Sequence, residues 1–280
     1  DAADPFFLTV DYFAPHADFA FTEDGLTPAT PAPRHLGAFE GEPLPGGAAL
    51  DEADVGDKPE SIQERPRLTD DVRAEITDNY ARYLESLLAV DEGVERIIDA
   101  LDEAGVLDDT VVMFTSDNGY FFGEHRIQRG KERFYEPSIA VPLLVRGPGV
   151  PRGETRAPLV ANIDLAPTIL DLAGARALRP PDGQTLVPLF AADPGPSDRA
   201  VLLESAMGGP NDLVPDYGVR TARYAYFELR TGERELYDLV EDPDQLDNLA
   251  GDPAHAKVEA DLAEETARLK ACAGETCQAG

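Results

Sequence analysis

DTVVMFTSDNGYFFGEHRIQRGKERFYEPSIAVPLLV, residues Asp109 to Val145, is the stretch that decides the fold. Its first part, Thr110 to Thr115, is a β-branched and apolar run of the length expected for a buried strand. The run stops at Ser116, and Asp117 and Asn118 then present hard oxygen atoms where the backbone turns outward. These two residues are candidates for half of a divalent-cation site. The simpler interpretation is a turn, which Asp-Asn-Gly also favours.

A long helix is predicted before this strand, from Asp70 to Gly105, because apolar residues recur there at spacings of three and four. Gly105 suits the C-terminal cap, and the helix leads directly into the strand at Thr110. A second apolar strand is expected from Ile139 to Val145. The pattern predicts an α/β fold, in which ligands gather at the carboxyl ends of strands.

Composition limits the partners of the chain. Its 280 residues include 54 acidic and 24 basic ones, a formal net charge of -30. Nucleic acids and anionic membranes need clustered Lys and Arg, so neither partner is expected. An anionic substrate would instead need a local cation. No apolar run approaches the roughly 20 residues of a membrane helix, so no membrane span is expected.

The order of motifs after the turn is specific. Gly-Glu-His ends at His125, Gly-Lys ends at Lys131, Tyr-Glu ends at Glu136, and Val-Pro ends at Pro142. This order resembles the sulfatases of the alkaline phosphatase superfamily, which read strand, Ser-Asp-Asn-Gly, loop, Gly-Lys, Glu, Val-Pro. The resemblance implies the C-terminal part of an alkaline-phosphatase-like α/β sandwich with a mixed central sheet.

Three further site residues follow from the resemblance. The segment from Asp4 to Phe13, predicted as a buried strand, resembles a Pro-Phe-Phe-Leu strand of the family, and the Pro-His after it implies that His16 contacts the sulfate ester. Lys131, one of four lysines among 24 basic residues, is implied as a catalytic and sulfate-binding residue. His125 is placed near the site, as a substrate-binding residue or a supporting loop residue.

The sequence pattern changes at about Asp198, where apolar and polar residues begin to alternate. Alternating segments predict strands at 201–204, 218–229 and 235–239, followed by a helix from Pro253 to Ala271. We therefore predict two parts: residues 1–195, belonging to the catalytic domain, and residues 196–280, a subdomain with a small antiparallel sheet and a helix. Residues 17–67 are rich in Pro, Gly and acids and are expected to form a surface loop that shapes a pocket, or to be partly disordered.

The mechanism that the resemblance implies uses a formylglycine, made from a cysteine or serine, together with one bound calcium ion. The cysteine form of this motif is Cys-x-Pro-x-Arg, and neither Cys272 nor Cys277 is followed in that way. Asp117 and Asn118 supply two ligands, whereas calcium prefers roughly six to eight oxygens. We therefore expect a missing N-terminal half to carry the formylglycine, and this segment alone to be inactive.

Two alternatives to a calcium-dependent sulfatase stay open. One is a phosphodiesterase or phosphonate hydrolase of the same superfamily, and the other is a non-catalytic truncated protein. The expected substrate is a sulfated small molecule or carbohydrate.

The two cysteines favour a small disulfide loop over free thiols, because four residues separate them and the tail offers few other metal ligands. A disulfide would indicate an extracytoplasmic or secreted location.

Overall fold

The computed structural model describes residues 5–17, 21–22, 25–26, 28–205 and 215–278. Its strands are β1 (Phe21–Thr22), β2 (Gly25–Leu26), β3 (Val112–Thr115), β4 (Leu143–Arg146), β5 (Val201–Ser205), β6 (Asp216–Arg220), β7 (Tyr224–Glu228) and β8 (Arg234–Asp238). Its α-helices are α1 (Glu60–Gln63), α2 (Asp70–Glu103), α3 (Glu136–Ile139), α4 (Leu165–Leu172), α5 (Val187–Ala191), α6 (Ala256–Ala271) and α7 (Glu275–Gln278). Short 3-10 turns lie at Pro33–His35, Gly47–Ala49, Leu107–Asp109 and Asn162–Asp164.

Helix α2 confirms the predicted long helix and is continuous over 34 residues. The Thr69 side chain caps its N-terminus by accepting a hydrogen bond from the Val72 backbone N–H at 3.3 Å. Gly105 follows the helix with a φ of 71°, a left-handed conformation that glycine adopts without steric cost. The chain can therefore reverse and enter β3 within a few residues.

Strand β3 pairs with β4 in antiparallel register, with Met113 opposite Val145. The strand predicted from Ile139 is wrong at its start, because residues 136–139 form helix α3. Pro137 lies in the first turn of that helix, where its missing N–H costs no helical hydrogen bond. The predicted burial of β3 is also incomplete, since Phe114 is 38% exposed.

The predicted strand from Asp4 to Phe13 is not observed. Asp4 lies outside the described residues, and residues 5–13 form no strand. Phe7 is 67% exposed, and its apolar neighbours are exposed as well. An apolar segment becomes a buried strand only when another surface covers it, and none of the residues that the structure describes does so here.

The C-terminal strands form one antiparallel sheet in the order β5-β6-β7-β8, and α6 packs on one of its faces. Val219, Tyr226 and Leu236 contact Leu262 and Leu269 of that helix. The predicted single run at 218–229 is two strands, because the chain turns between β6 and β7. The predicted small antiparallel sheet with a helix is confirmed.

The opposite face of this sheet packs on the segment that follows β3. Ala225 and Phe227 of β7 belong to the same buried cluster as Phe121, Phe134 and Tyr135. Adjacent residues of β7 thus point to opposite faces, as the pleat requires. The C-terminal sheet therefore supports the loop that carries the predicted site.

Residues 17–67 are not only a surface loop. Val55 and Ile62 belong to the core cluster, and Asp51, Glu52 and Lys58 are buried. The prediction missed this because Pro, Gly and acidic residues usually mark solvent-exposed segments.

The predicted disulfide is present and joins Cys272 to Cys277 after the end of α6. Among the described residues, no helix combines the length and the apolar character that crossing a membrane requires.

Candidate functional site

The turn after β3 places the two predicted metal ligands side by side. The Asp117 carboxylate accepts a hydrogen bond from the Asn118 backbone N–H at 3.0 Å, and the Ser116 hydroxyl donates to the Asn118 carbonyl at 2.9 Å. The Asn118 side-chain NH₂ donates to the Gly119 carbonyl at 2.9 Å. Because the amide nitrogen is used inside the turn, Oδ1 is the Asn118 atom available to a ligand.

Gly119 is required by a close approach of two backbone segments. A Cβ at this position would lie 2.0 Å from the Pro137 carbonyl oxygen. The contact allows the Gly119 N–H to donate to the Ser138 carbonyl at 2.8 Å and the Tyr120 N–H to donate to the Pro137 carbonyl at 2.8 Å. Gly119 is not among the residues with positive φ, so the close contact with Pro137, and not an unusual backbone conformation, requires the glycine.

Lys131 is held beside the same turn. The Ser138 hydroxyl donates to the Lys131 carbonyl, while the Ser138 carbonyl binds Gly119. In addition, the Phe121 N–H donates to the Gly130 carbonyl at 2.9 Å. The Lys131 ammonium makes no ion pair or hydrogen bond with any residue that the structure describes. Ser138 therefore holds the backbone of Lys131, a half-buried residue, beside the turn that carries Asp117 and Asn118.

His16 lies in an exposed turn. Its Nδ1 is 2.8 Å from the Ala17 carbonyl oxygen, and its ring lies 5.0 Å from the Phe13 ring. Ala17 lines a small cleft together with Tyr120 and Arg129. Each of His16, Asn118 and Lys131 is thus within two residues of a residue that lines this cleft.

His125 has a different environment. Its side chain is 1% exposed, its ring stacks on Tyr135 with centroids 4.2 Å apart, and its Nδ1 donates to the Glu52 carboxylate at 2.6 Å. The neighbouring Arg126 guanidinium donates to three backbone carbonyls, those of Glu52, Ala53 and Arg65. These contacts agree with the supporting-loop interpretation, and a substrate contact by His125 stays a prediction.

A buried ionic network, which the sequence did not predict, continues from His125. Lys58, whose side chain is 0% exposed, lies 3.3 Å from Glu52 and donates to the Leu246 carbonyl. Glu235 accepts hydrogen bonds from the Tyr135 and Tyr237 hydroxyls, both at 2.6 Å. Burial raises the pKa of the Glu235 carboxyl above its ordinary value of 4.5.

This network joins the site segment to the C-terminal sheet. Tyr135 and Glu235 are 100 residues apart, and Lys58 and Leu246 are 188 apart. The low lysine count, used above for Lys131, is the one sequence signal that could also have drawn attention to Lys58. Local patterns contain no information about contacts between segments so distant in the chain.

Segment 126–133 is locally basic in an acidic chain. It contains four basic residues, Arg126, Arg129, Lys131 and Arg133, and one acidic residue, Glu132. Arg133 donates to the Ser61 hydroxyl at 2.9 Å rather than to a carboxylate. Burial and, secondarily, the charge of Arg133 lower the pKa of the nearby Arg65. The segment therefore supplies the local positive charge that an anionic substrate would need.

Asp117 and Asn118 fit part of a calcium site by chemistry, since carboxylate and amide oxygens are ligands that calcium prefers. Within the described ranges no group of three or more His, Cys, Asp and Glu side chains is arranged to hold a metal ion. The two residues could supply two of the roughly six to eight oxygens of such a site.

Two protein-family models match the chain. The model described as Sulfatase matches residues 1–175, and the model described as N-sulphoglucosamine sulphohydrolase, C-terminal, matches residues 123–272. Together they cover nearly the whole sequence.

The curated relatives that the chain resembles are also named as sulfatases. The chain is 35% identical to an arylsulfatase of Chlamydomonas reinhardtii, over 99% of this chain and 49% of that protein. It is 30% identical to the N-acetylglucosamine-6-sulfatase of Homo sapiens, over 98% of this chain and 54% of that protein. The chain thus spans about half the length of these curated relatives.

Solved structures agree with the predicted fold class. A protein in complex with its substrate D-glucosamine-2-N,6-O-disulfate superposes with a TM-score of 0.73 at 25% identity, covering 89% of this chain and 63% of that one. The phosphonate monoester hydrolase of Agrobacterium radiobacter superposes with a TM-score of 0.62 at 30% identity, covering 70% of this chain and 42% of that one.

Proposed function

The chain belongs to the sulfatase family, and from that premise we propose that it forms the C-terminal part of a sulfuric ester hydrolase. The observation that carries the proposal is the double hydrogen bond of Ser138. Its carbonyl binds the turn that follows Asp117 and Asn118, and its hydroxyl binds the backbone of Lys131. These two hydrogen bonds support the proposal because they hold the backbone of Lys131 beside the turn that carries Asp117 and Asn118.

In this proposal Lys131 and His16 act on the sulfate ester. The Lys131 ammonium, which has no carboxylate partner among the described residues, binds a sulfate oxygen as a compact charge. His16 lies in an exposed turn, where its ring can donate a hydrogen bond to the ester oxygen as the alcohol leaves.

Asp117 and Asn118 would hold a calcium ion through a carboxylate oxygen and Asn118 Oδ1. When bound, calcium supplies a Lewis acid that neutralises the sulfate oxygens. Inside the turn the Asp117 carboxylate accepts from the Asn118 N–H, and the Asn118 NH₂ group donates to the Gly119 carbonyl, which leaves Asn118 Oδ1 for the ion. The remaining ligands would come from outside the described residues.

The nucleophile would also come from outside these 280 residues. Cys272 and Cys277 are bonded to each other, so neither is a candidate formylglycine precursor. Because the chain spans about half of its curated relatives, we propose that the other half of the catalytic domain is its partner and that this segment alone is inactive.

The substrate that we propose is a sulfated carbohydrate or a small sulfate ester. The names of two relatives support this: the human relative is called an N-acetylglucosamine-6-sulfatase, and one structural neighbour was solved with a disulfated glucosamine. An extracytoplasmic location is proposed from the Cys272–Cys277 disulfide, since disulfides persist in oxidising compartments.

The division at residues 195 and 196 also stays a proposal. The core shared by Phe121, Tyr135 and Phe227 means that the two parts pack closely on each other.

The alternative is phosphoester or phosphonate hydrolysis, which the similarity to a phosphonate monoester hydrolase favours. Parallel assays of an aryl sulfate and an aryl phosphate diester, with the complete protein that contains this chain, separate the two. A higher kcat/KM for the sulfate supports our proposal, and a preference for the phosphate diester refutes it.

Lys131→Met tests the assignment of the site. We expect a large loss of kcat/KM for the aryl sulfate, because the ammonium contacts the charged group. Lys257→Met is the matched control, since Lys257 is an exposed lysine on α6 paired with Asp261. Equal kinetics of the two variants would contradict the role of Lys131, and a complete protein without any esterase activity would favour the non-catalytic alternative.

A further inference from the structure

The small cleft lined by Ala17, Tyr120 and Arg129 is a cavity next to the proposed sulfate site. It has a volume of about 40 Å³ and lies between α2 and the segment that follows Asn118. A cavity needs a volume of roughly 10–15 Å³ to hold one water molecule, so this cavity has room for a group of a few heavy atoms. A carboxylate or a sulfate has that size, and a sugar ring does not.

The polar side chains that line this cavity are hydrogen-bond donors. They are Asn79 and Tyr83 of α2, with Tyr120, Gln128 and Arg129 from the segment opposite. None of the described residues that line it is acidic, although the chain carries 54 acidic and 24 basic residues. By contrast, the larger cavity on the other side of α2 is lined by four carboxylates, including Glu40 and Glu85.

Arg129 is the only charged residue among the described residues of this lining, and its guanidinium makes no ion pair there. Burial raises the pKa of Tyr83, so its hydroxyl keeps its proton at neutral pH. The Tyr83 and Tyr120 hydroxyls are hydrogen-bonded to each other, which uses one of their two protons. The cavity therefore offers a positive charge, two amide groups and one phenol proton to a guest. This set of donors is complementary to an anion.

The walls of the cavity are fixed by aromatic contacts. The Tyr83 ring lies 5.1 Å from the Tyr120 ring and 5.3 Å from the Phe122 ring, edge-on in the second case. Asn79 and Tyr83 are four residues apart and hence lie on one face of α2. Asn79, Tyr83 and Tyr120 are thus held by packed elements, whereas Gln128 and Arg129 are exposed.

The cavity borders every segment of the proposed site. Ala17, which lines it, follows His16; Tyr120 follows Asn118 by two residues; and Arg129 precedes Lys131 by two. A substrate whose sulfate ester lies at Lys131 can therefore place a second substituent here.

We propose that this cavity binds a second anionic group of the substrate, with Arg129 as its ion-pair partner. The inference rests on the proposed function and narrows the substrate to sulfate esters that carry another sulfate, sulfamate or carboxylate group. Arg129 then determines specificity, because a substrate with one charge leaves the guanidinium without a partner.

Binding and turnover of two sugars test the inference. D-glucosamine-2-N,6-O-disulfate and D-glucosamine 6-sulfate share the 6-sulfate and differ in the second anion. Calorimetric titration of the 280-residue chain should give a Kd for the disulfate that is lower by roughly 10- to 100-fold, as expected for a charged hydrogen bond. Arg129→Gln should abolish most of that preference, and Arg129→Lys should keep part of it.

Arg152→Gln is the matched control, because Arg152 is an exposed arginine that does not line the cavity. Thermal melts of all variants report whether they fold. The inference is overturned if neither sugar binds, or if the ratio of the two Kd values is the same in the chain and in Arg129→Gln. In the complete protein the ratio of kcat/KM values should follow the same pattern.

The two proposals fail in distinguishable ways. If the disulfate binds with the Arg129-dependent preference but the complete protein hydrolyses no sulfate ester, the proposed function fails and the anion site stands. If sulfate esters are hydrolysed without that preference, the anion site fails and the proposed function stands.

Discussion

Replacing Asp164 by asparagine should destabilise the protein strongly, because this carboxylate joins the catalytic part to the start of the C-terminal sheet. Asp164 is 0% exposed and makes four hydrogen bonds. One oxygen accepts from the Gln184 N–H at 2.8 Å and from Arg199 at 2.8 Å. The other accepts from the Ala161 N–H at 2.8 Å and from Arg199 at 2.6 Å.

The size of the effect follows from this geometry. An asparagine keeps one oxygen, but its NH₂ group must face a backbone N–H and a guanidinium N–H in either orientation. One charged and one neutral hydrogen bond are lost and Arg199, 16% exposed, loses its counter-charge, which together cost about 3–5 kcal/mol. For a chain of this size the midpoint of thermal unfolding should fall by roughly 6–15 °C.

Urea unfolding of a double-mutant cycle measures the interaction. Asp164→Asn and Arg199→Met should each be costly, and the double variant should cost less than their sum, since each single variant leaves the other group unpaired. The control is the pair of Asp78 and Arg82 at 3.0 Å, whose exposed side chains should contribute less than about 1 kcal/mol. A cost below about 1 kcal/mol for Asp164→Asn, or additive single effects, would refute the reasoning.

Three other predictions follow from the structure. Burial raises the pKa of Glu235 above 4.5, so its contribution to stability is complete below that pH and is lost as pH rises through the folded-state pKa. In urea unfolding, the free energy of unfolding of the unaltered protein should therefore fall relative to that of Glu235→Gln as the pH rises from about 4 to about 8. A difference between the two free energies that does not vary with pH would contradict this. In the complete protein, Asp117→Ala or Asn118→Ala should weaken calcium binding in titration calorimetry and reduce turnover, because each removes a ligand oxygen; near-normal values in either variant would exclude the metal assignment. Opening the disulfide with Cys272→Ser should cost about 2 kcal/mol, because the loop closed with Cys277 is short, with a sequence separation of 5; a much larger loss would mean that the tail supports the core.

Several elements were predictable because their signals are local. The spacing of apolar residues and the glycine at 105 predicted α2, and the β-branched run followed by Asp-Asn-Gly predicted β3 and the turn that carries Asp117 and Asn118. Alternation predicted the C-terminal strands, and the spacing of two cysteines favoured the disulfide. Helical and strand periods arise from backbone geometry, so neighbouring residues suffice to reveal them.

Other features depend on segments that are far apart in the sequence. The apolar run at residues 5–13 predicted a buried strand, yet burial requires a covering surface that no local pattern specifies. The acidic segment around Glu52 and Lys58 was expected at the surface, but it packs against His125 and the C-terminal sheet. The need for Gly119 came from the approach of Pro137, not from its own backbone conformation.

The sequence by itself determined the family, the long helix, the Asp117–Asn118 turn, the C-terminal sheet with its helix, and the site residues His16 and Lys131 as predictions. Only the tertiary structure decided that Ser138 ties Lys131 to that turn, that His125 is buried with Glu52, and that five polar side chains, Arg129 among them, line one cavity. The physical reason is that periodicity and turn chemistry act over a few residues. The partners of a buried charge or the lining of a cavity are chosen by packing, which brings together residues up to 188 positions apart.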